Sequence, residues 1–296
     1  MQEDRLSAYI RASVDAALAE DVGGGDVTAA LIGAEARSRA TVVCREDAIL
    51  CGRAWFDRVF AVLDETIRIE WRAGDGDRLA PGETICSLEG PARPILTGER
   101  TALNFLQTLS GTATAAARYA AAVAHTGCRI LDTRKTLPGL RLAQKYAVRC
   151  GGAVNHRIGL FDAVLIKENH IIACGGIAAA VSRARVGNPA LTVEVEVESL
   201  DELREALAAG ADRLLLDNFP LDILREAVRI TRDGATGATL EASGGLEMDD
   251  MAAVAETGVD FISVGALTKH LRAVDYSMRF GTATADEAPV EGRRSD

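Results

Sequence analysis

The chain has 296 residues, of which 48% are hydrophobic and 26% are charged, and its formal net charge is -10. This length accommodates one large or two modest domains with a sizeable core, and the composition excludes wholesale disorder. The acidic balance argues against a nucleic-acid partner, and no apolar run approaches the ~18 residues of a membrane span, so we expect neither a nucleic acid nor a membrane as a partner.

The first part of the chain predicts a small α+β domain. Its N-terminus is polar and acidic and lacks the apolar segment of a signal peptide, so we expect a cytoplasmic protein. Apolar residues between Leu6 and Leu18 follow the period of an amphipathic helix. Short segments rich in Val and Ile, separated by turn residues, then indicate an antiparallel sheet, and residues 98–124 indicate a helix with a break at Gly111.

Beyond residue 128, short β-rich segments alternate with helical patterns. The sequence contains six such segments: 128–133, 162–169, 191–198, 212–218, 238–245 and 260–266. Regular alternation of this kind is typical of βαβ repeats, and it fits a parallel α/β barrel or a doubly wound sheet. Since a standard barrel has eight strands, the six segments fall short of a complete one.

Polar or glycine-rich residues follow each of the six predicted strands. They are Asp132–Lys135, Lys167–His170, Glu194 with Glu196 and Glu198, Asp217–Asn218, Ser243–Gly245, and Gly265–Ala266. Ligands of parallel α/β domains bind at the carboxyl ends of the strands, so we expect one shared active site there. Alternation along the third strand puts its three glutamates on one face, and their position favours Glu196 or Glu198 as the one that reaches the site.

The charges are segregated along the chain. Residues 129–170 contain eight Arg or Lys and three acids, a balance of +5, whereas residues 193–260 contain seventeen acids and five Arg, a balance of -12. A basic segment suits a highly anionic substrate, and an acidic segment suits a divalent cation. We interpret four of the basic residues as functional: Arg134, Lys135, Arg157 and Lys167. We interpret four others as solvated helix faces: Arg129, Arg141, Lys145 and Arg149.

Two glycine loops, at Ser243–Gly245 and at Gly265–Thr268, each lead from a predicted strand toward a helix. Backbone N–H groups exposed in such loops can bind phosphate, and the late strands of α/β barrels often use them in this way. An ordinary tight turn explains either loop equally well. A Rossmann fingerprint and a Walker P-loop are absent. The six cysteines form no CxxC pair, and we interpret them as small buried thiols.

Several of these segments together resemble the quinolinate phosphoribosyltransferase family. The motifs that carry the resemblance are TRKT at 133–136, NHR at 155–157, IKENH at 166–170 and ASGG at 242–245. The resemblance extends over residues 20–280 in consistent order. Two departures, Leu137 in place of a threonine and Ala153-Val154 where a glycine is common, remove no charged group.

The resemblance implies an α/β chain of two domains. An N-terminal α/β sandwich would occupy residues 1–111, completed by residues 271–281, and an incomplete, six-stranded parallel α/β barrel would occupy residues 112–270. The composition of residues 282–296 predicts a flexible tail. The resemblance also implies a homodimer or a larger assembly, in which the N-terminal region of one subunit helps to close the active site of the other.

The resemblance further implies a reaction and a set of site residues. Phosphoribosyl pyrophosphate and quinolinate would give nicotinate mononucleotide, pyrophosphate and carbon dioxide, with Mg²⁺ as cofactor. The implied catalytic residues are Lys135, Lys167, Glu196 and Asp217, and the two acids would also hold the metal directly or indirectly. The implied quinolinate ligands are Arg134, Lys135, His156, Arg157, Lys167, and Arg100 from the partner subunit. The implied phosphate ligands are Ser243, Gly244, Gly245, Gly265 and Ala266.

Three other functions stay open at this stage. A paralogous phosphoribosyltransferase would use a different acceptor with the same transfer chemistry. A Schiff-base aldolase would use Lys167 as a nucleophile on a barrel strand. A non-catalytic sensor would bind phosphoribosyl pyrophosphate without releasing pyrophosphate.

Overall fold

The computed structural model describes residues 2–282 of the chain. The helices are α1 (Gln2–Val22), α2 (Arg53–Leu63), α3 (Ala92–Val123), α4 (Arg141–Cys150), α5 (Glu168–Cys174), α6 (Ile177–Gly187), α7 (Leu200–Ala208), α8 (Leu221–Asp233), α9 (Met251–Ala255) and α10 (Ala266–Lys269). The strands are β1 (Arg37–Cys44), β2 (Ala48–Ile49), β3 (Arg68–Trp71), β4 (Arg78–Leu79), β5 (Thr84–Pro91), β6 (Arg129–Leu131), β7 (Val164–Ile166), β8 (Val193–Val197), β9 (Arg213–Asp217), β10 (Thr239–Ser243), β11 (Phe261–Ser263) and β12 (Tyr276–Thr282). Apart from Thr282, the segment predicted to form a flexible tail lies outside the described residues.

The N-terminal region is built on a four-stranded antiparallel sheet in the order β12-β1-β5-β3. Strand β12 pairs with β1 along its whole length, so the end of the described chain returns to this sheet. Helices α2 and α3 contribute Trp55, Phe56 and Leu106 to the core that the sheet shares, and each of these side chains is fully buried. The predicted α/β sandwich is therefore present.

Helix α3 is continuous over 32 residues, so the expected break at Gly111 is absent. Glycine is needed there for a different reason. A Cβ atom at Gly111 would lie 2.3 Å from the carbonyl oxygen of Arg272, in the segment that leads to β12. The predicted domain boundary at residue 111 thus falls inside a helix, and the two halves of α3 contribute side chains to two different cores.

The second region is a parallel sheet of six strands in the order β6-β11-β10-β9-β8-β7. The first strand of this region, β6, pairs with the last, β11, as barrel closure requires. Val154 adds a parallel bridge to Leu131 on β6, and among residues 2–282 no ladder joins this segment to β7. The predicted incomplete, six-stranded α/β barrel is confirmed. No helix within residues 2–282 is both long enough and apolar enough to cross a lipid bilayer.

Alternation in β8 determines which side chains enter the barrel. Val193, Val195 and Val197 are fully buried in the core that the barrel sheet shares with its helices. Glu194 and Glu196 lie on the opposite face, which is the barrel interior. Carboxylates therefore line the interior at two depths, with Glu196 nearer to the carboxyl end of the strand.

Candidate active site

A buried ion pair lies where β6 ends. Asp132 is fully buried and pairs with Lys145 of α4, which is 2% exposed. The Lys145 ammonium also donates to the carbonyl oxygens of His156 (2.8 Å) and Arg157 (3.0 Å). The Asp132 carboxylate also accepts hydrogen bonds from the Asn155 side chain (2.7 Å) and the His156 backbone N–H (2.8 Å). Burial raises the pKa of Asp132, and the Lys145 charge together with these donors opposes that shift. Both members of the ion pair thus hold residues 155–157 in place, Lys145 through backbone carbonyl groups and Asp132 through N–H donors.

Arg134 and Arg157 lie near enough to each other for their charges to interact. Burial lowers the pKa of Arg157, and the neighbouring charge of Arg134 lowers it further. Neither guanidinium forms an ion pair with any other residue that the structure describes. The Nε atom of Arg134 is buried without a hydrogen-bond partner. Arg157 donates from Nη1 to the carbonyl oxygen of Ala163 (3.4 Å). Two cations without an ion-pair partner, one of them with an unused donor, are suited to an anionic ligand that supplies the missing acceptors.

The loop that follows β6 brings Lys135 against the glycine loop after β11. A Cβ atom at Gly265 would lie 3.0 Å from Cδ of Lys135, so the two segments are in contact. The Thr268 hydroxyl donates to the carbonyl oxygen of Lys135 (2.8 Å), and Oγ1 of Thr133 accepts from the Lys135 N–H (3.0 Å). Lys135 itself is exposed at the mouth. The predicted Lys135 and Gly265 are therefore neighbours.

The acidic residues lie across the mouth, on β8 and β9. Glu196 pairs with Lys167, the residue that follows β7, and its side chain is 17% exposed. Asp217 ends β9 and accepts a hydrogen bond from the Asn218 side chain (2.8 Å). Of the two glutamates expected to reach the site, Glu196 makes a contact within it, whereas Glu198 is exposed after the strand has ended.

The loop after β10 has a conformation that only glycine can supply. Gly244 has φ +106°, and a Cβ atom there would lie 2.2 Å from Oδ1 of Asn218. Gly245 follows with φ +53°. The Asn218 N–H donates to the carbonyl oxygen of Ser243 (2.9 Å), which ties this loop to the end of β9. An ordinary tight turn does not require this close approach, so the contact favours the phosphate-binding interpretation of Ser243–Gly245.

Arg100 is the one predicted site residue that stands apart from the barrel residues. It is exposed on α3 and borders a groove of about 600 Å³ whose other lining residues lie between Asp21 and Thr97. No barrel residue lines this groove. Within one chain, Arg100 therefore does not join the arginine pair.

Within residues 2–282, two groups of three side chains bring potential metal ligands together, and neither includes Glu196 or Asp217. They are Cys51 with Asp75 and Cys150, and His156 with Glu194 and Glu241, and the ligand atoms of each group lie within 4.8 Å of one another. Asp75 already accepts hydrogen bonds from Tyr146 (2.8 Å) and from the Gly52 N–H (3.0 Å). All six cysteines are free thiols. The predicted burial is confirmed for Cys44, Cys51, Cys86 and Cys128, but it is wrong for Cys150 and Cys174, which are half-buried.

Comparison with known proteins identifies the family. The models for the N-terminal and C-terminal domains of quinolinate phosphoribosyl transferase match residues 26–110 and 112–279. This chain belongs to that family. A probable nicotinate-nucleotide pyrophosphorylase (carboxylating) from Bacillus subtilis is 43% identical, over 88% of this chain and 89% of its own length. The corresponding protein of Mycobacterium leprae is 42% identical, over 90% and 96%. The solved structure of the nicotinate-nucleotide pyrophosphorylase from Francisella tularensis has 48% identity and a TM-score of 0.90, covering 93% of this chain and 97% of that one.

In this member of the quinolinate phosphoribosyl transferase family, the burial of Lys145 was not predicted from the sequence. The interpretation of Lys145 as part of a solvated helix face is wrong, because the side chain is buried against Asp132. One signal was available: the chain has only four lysines beside 29 arginines, and Lys145 is one of three that lie between residues 135 and 167. A buried ammonium with three acceptors makes lysine, and not arginine, the residue that fits this position.

Replacing Lys145 by methionine tests this anchoring role. Lys145→Met should lower the free energy of unfolding by about 3–5 kcal/mol, because it leaves Asp132 buried without its counter-charge. It should also raise KM, because the carbonyl oxygens of His156 and Arg157 lose the donor that holds this segment in place. Chemical denaturation and steady-state kinetics measure the two effects. Arg149→Met, an exposed position on the same helix, is the control, and equal stability of the two variants would contradict the assignment.

Proposed function

We propose that the barrel mouth transfers the phosphoribosyl group of phosphoribosyl pyrophosphate to quinolinate and releases carbon dioxide. The products would be nicotinate mononucleotide and pyrophosphate, a step of NAD biosynthesis. Family membership supports the reaction. The observation that supports the acceptor is the pair Arg134 and Arg157, because neither guanidinium forms an ion pair with a described residue and their charges repel each other. Quinolinate carries two adjacent carboxylates, which match two adjacent guanidinium groups.

The other predicted residues divide between the two substrates. Lys135 and Lys167 would lie near both the quinolinate carboxylates and the pyrophosphate. The backbone at Ser243, Gly244, Gly245, Gly265 and Ala266 would hold the 5′-phosphate. Contact between Lys135 and Gly265 supports this division, because it joins the cationic and the glycine-rich parts of the mouth.

The transfer requires charge stabilisation and no general base. Pyrophosphate leaves the anomeric carbon with the electron pair of the C–O bond, and the lone pair of the pyridine nitrogen forms the C–N bond from the opposite face. Lys135 and Lys167 offset the charge of the leaving group, while Glu196 and Asp217 stabilise the cationic sugar. As carbon dioxide departs, the electron pair of the ring–carboxylate bond stays on the ring carbon, where the adjacent quaternised nitrogen stabilises it. A solvent proton completes the ring carbon.

Substitutions of single cations test these assignments. Arg134→Ala and Lys167→Ala should each lower kcat/KM for quinolinate at least ~10²-fold, the scale of losing one positioned charge. The measurement is pyrophosphate release with quinolinate consumption. Arg183→Ala, which removes an exposed cation from α6, should leave the rate unchanged. Near-normal turnover of either site variant would overturn the assignment of that residue.

We also propose that Glu196 and Asp217 hold Mg²⁺. Their carboxylate oxygens are the ligand type this cation prefers, and they lie near the carboxyl ends of the paired strands β8 and β9, so the residues fit the group. When bound, the cation would neutralise charge on the pyrophosphate as that group leaves.

Chelation tests the magnesium proposal. Dialysis against EDTA should abolish turnover, and added Mg²⁺ should restore it. Asp217→Asn should raise the Mg²⁺ concentration needed for half-maximal rate, because one anionic ligand is lost. Full turnover in protein shown by elemental analysis to be free of divalent metal would contradict the proposal.

An aldolase acting through Lys167 is disfavoured by one contact. The Lys167 ammonium pairs with Glu196, and an ion-paired ammonium has no free lone pair with which to attack a carbonyl group. Borohydride trapping with a carbonyl substrate should therefore give no adduct at Lys167.

We further propose that the active enzyme is a homodimer, cytoplasmic in the cell, in which Arg100 acts in the site of the partner subunit. Arg100 borders a groove that belongs wholly to its own N-terminal region. Val27 and Leu31, also in that groove, are each 85% exposed, an apolar surface that a second copy could cover.

Mixing two inactive variants tests this shared site. Arg100→Ala and Arg134→Ala subunits should each be inactive alone, but unfolding and reassembling them together should restore about a quarter of the wild-type rate, since half the dimers are mixed and each carries one intact site. The control is the same procedure on each variant separately. Failure of the mixture to regain activity, with mixed dimers shown by native mass spectrometry, would contradict a site shared between subunits.

A further inference from the structure

The imidazole of His156 is turned into the barrel and not toward its mouth. His156 is 8% exposed. Its Nε2 atom lies 2.9 Å from Oε2 of Glu194 and 3.4 Å from Oε2 of Glu241. Glu194 on β8 is 2% exposed and Glu241 on β10 is fully buried, so both lie in the barrel interior. The ring therefore faces buried protein carboxyl groups.

The other ring nitrogen is also committed within the protein. Nδ1 of His156 accepts the backbone N–H of Arg157 at 2.7 Å. An accepting nitrogen carries no proton, so the proton of the neutral ring is on Nε2, where it faces Glu194 and Glu241. With both nitrogens engaged, the ring has no polar atom left for a substrate carboxylate.

We propose that His156 is a positioning residue that aims Arg157 at the substrate, and that Glu194, the nearer carboxylate, holds its ring in the Nε2–H form. This changes the expectation that His156 binds quinolinate directly. The inference rests on the proposed function only in assigning Arg157 to the substrate. The state of the His156 ring is a property of the protein alone and can be measured without substrate.

The charges around the ring favour its neutral form. Arg213 of β9 lies 3.6 Å from Glu241, and Lys145 of α4 and Arg157 also place positive charge near the imidazole. Burial is the main cause that lowers the pKa of His156, and the Glu241 charge opposes it. A second proton on the ring would also displace the Arg157 N–H from Nδ1, so the geometry and the electrostatics agree.

The same three side chains could instead bind a metal ion, because their ligand atoms lie within 4.8 Å of one another. A metal would need the lone pair of Nε2, and so it excludes a proton on that atom. The Arg213 guanidinium beside Glu241 also opposes a cation at this place. Observation of the Nε2 proton thus distinguishes the two interpretations.

Nitrogen NMR of the protein labelled with ¹⁵N-histidine reports the protonation state of each nitrogen of the His156 ring. Wild-type protein should show His156 protonated at Nε2 and unprotonated at Nδ1 between pH 6 and pH 8, before and after quinolinate is added without phosphoribosyl pyrophosphate. The signal is assigned by its loss in His156→Gln. A doubly protonated ring, a proton on Nδ1, a large shift on adding quinolinate, or an Nε2 proton that appears only after chelation would each overturn the proposal.

Two isosteric variants test the function of the ring. Asparagine places an acceptor where Nδ1 lies, whereas glutamine places a donor where Nε2 lies and no acceptor at Nδ1. His156→Asn should keep KM for quinolinate within about threefold of wild type, and His156→Gln should raise it about tenfold, the scale of one hydrogen bond. KM for phosphoribosyl pyrophosphate should not change in either variant. The reverse order for quinolinate would show that Nε2 binds substrate and would overturn the inference.

The controls separate this inference from the proposed function. His125→Asn, at an exposed histidine paired with Glu256, should match wild type in every measurement. If wild-type protein failed to consume quinolinate, the proposed function would be wrong. The NMR measurement would still decide independently whether the His156 ring is in the proposed form.

Discussion

The buried ion pair between Asp132 and Lys145 is the constraint on which the barrel mouth depends. Such a pair adds little net stability compared with an apolar core, because desolvating two charges costs about as much as their attraction returns. Its value here is geometric. The Lys145 ammonium binds two backbone carbonyl groups of residues 155–157, and Asp132 binds a backbone N–H and a side-chain amide of the same segment. Strand β6, helix α4 and this loop therefore cannot move independently.

This anchoring holds Arg157 near Arg134, although neither guanidinium forms an ion pair within the described residues. The acids nearest to the mouth already have partners: Asp132 pairs with Lys145, Glu196 with Lys167, and Glu194 lies against His156. Glu194 and Asp162 offset part of the charge of Arg157 without forming an ion pair with it. No described carboxylate forms an ion pair with Arg134 or Arg157, so a bound anion would reduce their repulsion further. The net charge of -10 is thus compatible with an anionic substrate, because most of the negative charge lies elsewhere.

The sequence predicted those parts of the site that adjoin an apolar strand. Lys167 follows β7 directly, Asp217 and Ser243 end β9 and β10, and Arg134 comes three residues after β6. Parallel strands bring their carboxyl ends together whatever the details of packing. Lys145 was missed because helical periodicity places it on the same face as Arg149, one turn later, and that position is exposed. Their burial differs because the loop 155–157 covers Lys145 and not Arg149. This is a tertiary contact, which helical periodicity does not predict. The orientation of the His156 ring depends likewise on carboxyl groups from two distant strands.

The position of Arg157 depends ultimately on α3. Helix α4, which carries Lys145, ends beside Gly151, where a Cβ atom would lie 2.3 Å from the carbonyl oxygen of Ala113 in α3. Backbone contact of this kind leaves no room for the two helices to slide. The N-terminal sheet packs on the same α3, and Arg100 projects from it. One helix therefore positions both Arg157 and Arg100 within the chain. In the proposed homodimer, the same helix would also set the place at which Arg100 meets the partner subunit. A dimer built on this helix would couple the geometry of its two sites without any hinge between them.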